Sequence, residues 1–450
     1  MEAGLLILIF ALAIAFIIYM TARVRLDAFL VLLIAAFFVG LASGMPAPKV
    51  VETIAYGFGS TLKAIGIVIA AGTIIGVFLE RTGAAISIAE SILRVVGRKR
   101  VPLALSIMGY IISIPVFCDS GFVILSPLMK ALANRAGISL ATAAIALSTG
   151  LYATHCLVPP TPGPIAAAGT LNADLGLVIA LGLIASIPAA LAGWLWAVKY
   201  CSRIWIEPRV EVTYEELIKR YGRLPPASLS FAPIIVPIIL IVLRSIAKFP
   251  SHPFGTGAVL TFFDFIGHPI TALLIGVFLA FTLVRGKLTE EVYGTKGWVG
   301  EGLKNAAVII LITGAGGSLG AVLRATGIGD LIGRALAQYN LGLLLPFIIA
   351  AAIKTAQGSS TVSIITTSAL IAPMLDSLGL ASPIGRALTV LAIGAGSMVV
   401  SHANDSYFWV VSMFSNMDVP TAYRTQTLGT LVEGVVAAIT VLAMGAILLH

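Results

Sequence analysis

The chain has 450 residues, of which 59% are hydrophobic and only 11% are charged, and its mean hydropathy is +1.04. Soluble domains carry roughly 25% charged residues, so this composition excludes a water-soluble protein and indicates a polytopic membrane protein. The net charge of +8 does not indicate a nucleic-acid partner, because the basic residues cluster in short loops on one side of the expected topology. The three cysteines show no metal-binding or redox spacing, and no metal site is expected.

Apolar stretches long enough to cross a bilayer recur along the chain. A transmembrane helix needs about 20 apolar residues. Two of the stretches are interrupted near a histidine, the first by a run that contains four prolines. Because proline removes a backbone donor and clashes with the preceding turn, we expect these prolines to lie outside helices. The predicted spans are 4–20, 27–44, 61–79, 138–172 (broken at 155–164), 175–198, 229–243, 268–284, 305–323, 384–417 (broken at 402–408) and 426–448.

Two further apolar pairs, 101–134 and 341–376, carry polar residues at their centres. In the first pair, too few uncharged residues separate Asp119 from Lys130 for a full crossing, which predicts a re-entrant hairpin with Asp119 at its tip. The second pair carries Lys354 and then a polar tip at 357–361. Its arms are longer, so two full spans are the alternative to a hairpin there.

The two halves of the chain repeat each other. The pattern Gly72-x3-Gly76, followed by Leu and Thr-Gly, recurs at Gly316-x3-Gly320 with the same spacing. Each copy continues with an amphipathic helix (84–97 and 327–339), a polar-tipped pair, a broken helix and a closing span. Counting the crossings places the second copy in the opposite orientation, an arrangement typical of secondary transporters. The sequence therefore predicts an all-α membrane protein with inverted-topology repeats, re-entrant hairpins and broken transmembrane helices.

This organisation divides the chain into four parts and fixes an expected orientation. The parts are N-terminal scaffold spans at 1–60, repeat 1 at 61–203, cytoplasmic loops with two linking spans at 204–304, and repeat 2 at 305–450. With both termini outside, most basic residues face the cytoplasm, as the positive-inside rule requires. The expected location is the plasma membrane, with the lipid bilayer around the spans.

The polar tips and breaks supply the candidate functional residues, because ionisable groups at bilayer depth indicate function. Asp119 is the expected proton carrier, although it could instead cap the second hairpin arm. Asp405 is a second candidate for proton coupling, and a helix cap or a counter-ion to Lys354 is its alternative role. Glycines and helix N-termini at the tips suit an anion. The expected substrate-binding residues are Ser120, Gly121, His155, Thr161, Gly163, Gln357, Gly358, Ser359, Ser360, Thr361, His402, Asn404 and Ser406.

Catalytic functions lack their sequence signatures. A Gly-x-Gly-Asp match at 327–330 has no Tyr-Asp partner, and no histidine is followed by Glu in a zinc-protease pattern. No Gly-x4-Gly-Lys-Ser/Thr run indicates nucleotide hydrolysis. We therefore expect no catalytic residues and no enzyme, with an intramembrane hydrolase the disfavoured alternative. Paired breaks and tips favour a secondary carrier over a channel.

Four runs resemble the gluconate:proton symporter (gluconate permease) family, and the resemblance extends over essentially the whole chain. They are 115–123, 158–168, 356–362 and 401–409. The resemblance implies proton-coupled uptake of gluconate or a related sugar acid by alternating access, in a prokaryotic inner membrane and without a cofactor. It also implies an elevator-type carrier and a homodimer. Sodium coupling is the alternative. Departures from the family pattern at Cys118, Ser120, Thr161 and Tyr407 leave the particular hydroxy acid open.

Overall fold

The computed structural model describes residues 3–97, 100–209, 216, 219, 223–248, 253–284, 289–328, 331, 339, 341–403 and 405–449. Within these ranges the chain forms helices and no strand, which confirms the predicted all-α class. The helices are α1 Ala3–Tyr19, α2 Ala28–Ala42, α3 Ala47–Arg81, α4 Ala84–Val96, α5 Val101–Ile112, α6 Cys118–Ala136, α7 Leu140–Leu157, α8 Pro162–Thr170, α9 Leu175–Lys199, α10 Ala227–Ala247, α11 Ala258–Ile266, α12 Pro269–Phe281, α13 Glu290–Tyr293, α14 Trp298–Ala325, α15 Leu344–Gln357, α16 Ser360–Ile371, α17 Pro383–Met398, α18 Ser406–Phe414, α19 Val419–Ala422 and α20 Leu428–Leu448.

Several of these helices are suited to a bilayer. Among the described residues, five helical segments are long and apolar enough to cross a membrane, and two bent pairs raise the total to seven. One bent pair is α11 with α12, and the other is α3, which bends by 48° between Ala64 and Gly66. Exposed leucine, isoleucine and phenylalanine side chains cover the outer faces of α1, α2 and α10, as lipid contact requires. The chain is a multi-pass membrane protein.

The two polar-tipped pairs form helical hairpins of similar size. In hairpin 1, residues 113–117 turn the chain between α5 and α6, and in hairpin 2, Gly358 and Ser359 separate α15 from α16. The arms of hairpin 2 contain 14 and 12 residues. At 1.5 Å per residue they are about 20 Å long, which is shorter than a hydrocarbon core of about 30 Å. Hairpin 2 therefore fits the re-entrant alternative better than two full spans.

The first broken helix ends and restarts at different residues from those predicted. Helix α7 continues past His155 to Leu157, and α8 begins at Pro162, so the prediction that Pro162 and Pro164 lie outside a helix is wrong. The first turn of a helix has no intrahelical partner for its N–H groups, so prolines are tolerated there. The non-helical segment is only 158–161, with a cis peptide between Pro159 and Pro160.

The second break lies between α17 and α18, over residues 399–405. It begins earlier than the predicted 402–408, because Val399 is extended and Val400 has a φ of 57°, which no α-helix accepts. It ends at Asp405, whose carboxylate caps α18. The predicted amphipathic helix at 84–97 is confirmed by α4, whereas most of its counterpart at 327–339 lies outside the described residues.

The repeated glycines allow close approach between long helices and the central elements. A Cβ on Gly76 would lie 2.8 Å from the carbonyl oxygen of Pro115 in the hairpin 1 turn. Helices α3 and α14 also pack directly on each other, where a Cβ on Gly57 would lie 2.6 Å from the carbonyl oxygen of Gly317. Small residues at such contacts are what helix packing in membranes uses.

Each hairpin packs on half-helices of both repeats. The first arm of each hairpin packs on the first half of its own broken helix, α5 on α7 and α15 on α17. The second arm contacts both repeats: α6 packs on α7 and also on α18, and α16 packs on α17 and also on α8. All 18 residues of α7 are buried, so this helix lies in the interior of the protein, away from lipid.

Candidate functional site

The centre of the site is a buried ion pair between hairpin 2 and the second break. The Nζ atom of Lys354, in the last turn of α15, lies 2.6 Å from Oδ2 of Asp405 and also donates to the carbonyl oxygen of Gly358. The two side chains are only 1% and 5% exposed. A buried charge without its partner is strongly destabilising, so this pair ties the hairpin tip to the start of α18.

Asp405 has two structural roles at once. Its Oδ1 accepts the backbone N–H of Tyr407 at 3.1 Å and so caps α18, while its Oδ2 accepts from Lys354 and, at 2.5 Å, from the hydroxyl of Ser401. The cap and the counter-ion roles that the sequence leaves open are therefore both present. Its part in proton coupling stays a prediction.

Asp119 is the second residue of α6 and lies in its first turn, and because the N-cap position is held by Phe117, Asp119 is not the capping residue. Its Oδ1 accepts a long hydrogen bond of 3.5 Å from the hydroxyl of Ser406, at the N-terminus of α18. The side chain is half-buried, and no ion pair with it occurs within the described ranges. The neighbouring Ser120 is also half-buried, and a Cβ on Gly121 would lie 2.7 Å from Cδ2 of Leu151.

The tip of hairpin 2 uses its polar groups on its own backbone. The Gln357 amide accepts from the N–H of Ser359 at 3.0 Å and donates to the carbonyl oxygen of Ser359 at 2.5 Å. Gly358 between them has a φ of 94°, and Ser359 caps α16 through Val362. Ser360 is buried and Thr361 half-buried at the start of α16. These hydrogen bonds hold the tip in one conformation at the N-terminus of α16.

The two histidines occupy different environments. His402 is half-buried and its Nε2 lies 2.8 Å from the carbonyl oxygen of Thr355, which joins the second break to hairpin 2. His155 is 4% exposed and stacks on Tyr152, and its Nδ1 has no hydrogen-bond partner within the described ranges.

The first break lies beside hairpin 2. Thr161 is fully buried and donates to the carbonyl oxygen of Val158 at 2.7 Å. A Cβ on Gly163 would lie 2.9 Å from Cδ1 of Ile364 in α16, so the N-terminus of α8 meets hairpin 2 closely. Asn404, a candidate at the second break, lies outside the described residues.

A cavity of about 620 Å³ opens beside the ion pair. Gln357, Asp405 and Ser406 line one side, and the connector between α1 and α2 lines the other. On that connector Arg25 is exposed, has a φ of 59°, and makes no ion pair with the described residues. The sequence alone does not indicate that Arg25 lines a cavity, because a basic residue in a short connector is common. The remaining lining residues are Thr21, Leu26, Asp27, Ala28, Ile312, Val362, Ala403 and Trp409.

Glu433, in α20, is an acidic residue that is not among the functional residues expected from the sequence. It is fully buried, and neither carboxyl oxygen has a hydrogen-bond partner in the described part of the chain. One turn earlier, Thr430 accepts the N–H of Ser401, so α20 packs directly on the second break. No cluster of three or more metal-ligating side chains occurs in the ranges that the structure describes.

The family of the chain follows from its sequence over nearly its whole length. A family model described as GntP family permease matches residues 5–447. The chain belongs to the GntP permease family. This GntP permease is 36% identical over 440 residues to a gluconate permease of Pseudomonas aeruginosa, covering 96% of this chain and 95% of the relative. It is 32% identical over 447 residues to the Gnt-II system L-idonate transporter of Escherichia coli, covering 98% and 99%.

The fold is also found among solved structures. The crystal structure of the Alcanivorax borkumensis YdaH transporter, which has an unusual topology, matches 89% of each chain with a TM-score of 0.62 at 17% identity. This likeness concerns the fold alone. Together, family and fold show that this GntP permease is a membrane transporter and not an enzyme.

Proposed function

We propose that this GntP permease is a proton-coupled symporter that takes up gluconate or a closely related sugar acid across a prokaryotic inner membrane. The gluconate permease and the L-idonate transporter among its relatives support a six-carbon hydroxy acid as the substrate. The cavity beside the ion pair has a volume within the range of small-ligand sites. Hydroxyl, amide and backbone N–H groups at the hairpin tips and half-helix N-termini are donors that suit a carboxylate and a polyol.

The charges of the site are the observation that carries proton coupling. Lys354 and Asp405 neutralise each other, and Asp27 on the other cavity wall caps α2. The Asp119 carboxyl beside Ser406 has no ion-pair partner among the described residues. When Asp119 is ionised, an anionic substrate meets a like charge, which opposes its binding by about 1 to 4 kcal/mol at 4 Å. A proton on Asp119 removes this repulsion. Substrate and proton therefore favour each other's binding, and that mutual effect is the basis of coupling.

Transport then requires that the loaded site open to each side in turn. We propose an elevator movement, in which the hairpins and broken helices move as a unit against α1, α2 and the long helices α3 and α14. The second arms of the hairpins bind the two repeats together and would keep this unit intact during the movement. We propose a homodimer, with the fixed helices at its interface.

Labelled gluconate uptake into proteoliposomes tests the function. An inward proton gradient is imposed in one arm and a sodium gradient in the other. We expect accumulation in the proton arm only, with competition by L-idonate. Uptake driven by sodium alone would contradict proton coupling, and no uptake in either arm would contradict the substrate class.

Asp119→Asn tests the role of the acid. The variant is expected to lose accumulation under the proton gradient while it retains exchange of internal for external gluconate, because the amide is permanently uncharged. Asp418→Asn is the matched control, since Asp418 is an exposed carboxylate that caps the short helix Val419–Ala422 away from the cavity. Full proton-driven accumulation by Asp119→Asn would refute the assignment.

A further inference from the structure

The amine of Lys354 donates to two oxygen atoms, and a hydroxyl group lies against one of them. The carboxylate of Asp405 and the carbonyl of Gly358 both accept from it, and the hydroxyl of Ser401 donates to the same carboxylate oxygen. Nζ also lies 5.8 Å from the centroid of the Tyr152 ring, whose face attracts a cation. A side chain that is 1% exposed cannot extend its charge into water, so its function lies within the protein.

These oxygen atoms form the kind of donor set that a small hard cation takes. Carboxylate and carbonyl oxygens suit such ions better than nitrogen or sulfur does. The set also comes from non-helical backbone, the Gly358 turn of hairpin 2 and the break at 399–405. In carriers with broken helices, unwound carbonyls of this kind coordinate the coupling ion. The ammonium group of Lys354 thus lies among oxygen atoms of the types that bind alkali-metal ions.

We propose that the Lys354 ammonium is a tethered substitute for a bound alkali-metal ion, and that removing the amine exposes a sodium site formed by Asp405, Gly358 and Ser401. The native carrier then needs no sodium at this position, because its own side chain supplies the positive charge. The inference concerns the ion pair and does not depend on which anion is carried.

A plain charge-balance role gives different expectations. If Lys354 only neutralises Asp405, removal of both charges restores the protein, and no particular cation replaces the amine. If the oxygen atoms form an ion site, removal of the amine alone creates a selective dependence on a small cation, and removal of Asp405 abolishes that dependence.

Thermal unfolding of the purified full-length protein distinguishes these roles. Lys354→Ala is measured in sodium, lithium, potassium and N-methyl-D-glucamine chloride at equal ionic strength. We expect a saturable rise in midpoint of about 5 °C in sodium over N-methyl-D-glucamine. The unaltered protein and the double variant Lys354→Ala with Asp405→Asn should show no such rise. Lys63→Ala, at an exposed position of α3, is the lysine control.

Lys354→Met keeps much of the aliphatic stem and serves where the alanine variant fails to fold. A rise of the unfolding midpoint of Lys354→Ala or Lys354→Met in sodium only supports the sodium site. Equal midpoints in all four salts would refute it, as would single variants that fail in every salt, whether or not the double variant folds. Because the measurement involves no transport, failure to carry gluconate would contradict the proposed function and leave this result unaffected.

Discussion

Arg25 provides a direct test of whether the cavity beside the ion pair receives the substrate. It is an exposed cation on the cavity wall, whereas Lys354 is buried and paired with Asp405. Two unit charges 4 Å apart attract by about 1 kcal/mol in water and about 4 kcal/mol at an effective dielectric constant of 20. Because Arg25 is exposed, the lower part of this range applies. Arg25→Gln should therefore weaken binding of the carboxylate by about 1.4 kcal/mol, or tenfold in KM.

The assay measures KM for gluconate from each face of the membrane, in proteoliposomes and in inside-out vesicles. The increase is expected on the face to which the cavity opens, which the charge distribution predicts to be the cytoplasmic face. Arg23→Gln is the matched control, because Arg23 lies on the same connector and does not line the cavity. A KM for Arg25→Gln within about twofold of the unaltered value from both faces would refute the reasoning.

Two further predictions concern packing and a buried acid. Gly163→Ala should slow gluconate uptake, because its Cβ would lie 2.9 Å from Cδ1 of Ile364. Adding Ile364→Val removes that atom and should restore the uptake rate. No recovery in the same assay would contradict the contact. Glu433→Gln should leave the unfolding midpoint within about 2 °C or raise it, since an ionised carboxylate without a partner at this depth is destabilising. A fall of about 10 °C would show that the charged form is needed.

The sequence predicts the helices well where apolar runs and prolines decide them. The spans at 4–20 and 175–198 match α1 and α9. Hairpin 1 is present, but its turn lies at 113–117, before the predicted tip at Asp119, which belongs to the first turn of α6. The exact ends of the broken helices are less predictable. Pro162 and Pro164 look like helix breakers in the sequence, but they occupy a first turn, where the missing N–H groups have no partner to lose.

The site is predicted in part, because its residues come from several distant segments. The polar motifs point to the tips and breaks, and the pairing of Lys354 with Asp405 is one of the alternatives that the sequence suggests. The participation of Arg25 depends on how the first two helices pack against hairpin 2, which no local pattern encodes. Glu433 lies in an ordinary apolar span, and only its complete burial without a partner distinguishes it.

The contacts between hairpin arms of one repeat and half-helices of the other predict how the protein behaves when its chain is cut into two parts. Helix α16 packs on α8, and α6 packs on α18, so a hairpin arm of each repeat lies against a half-helix of the other. A chain cut between α9 and α10 should therefore yield two fragments that associate when they are synthesised together, while each fragment alone carries only one wall of the cavity. By the same logic, a carrier encoded by a single unduplicated half would be functional only as a pair of molecules.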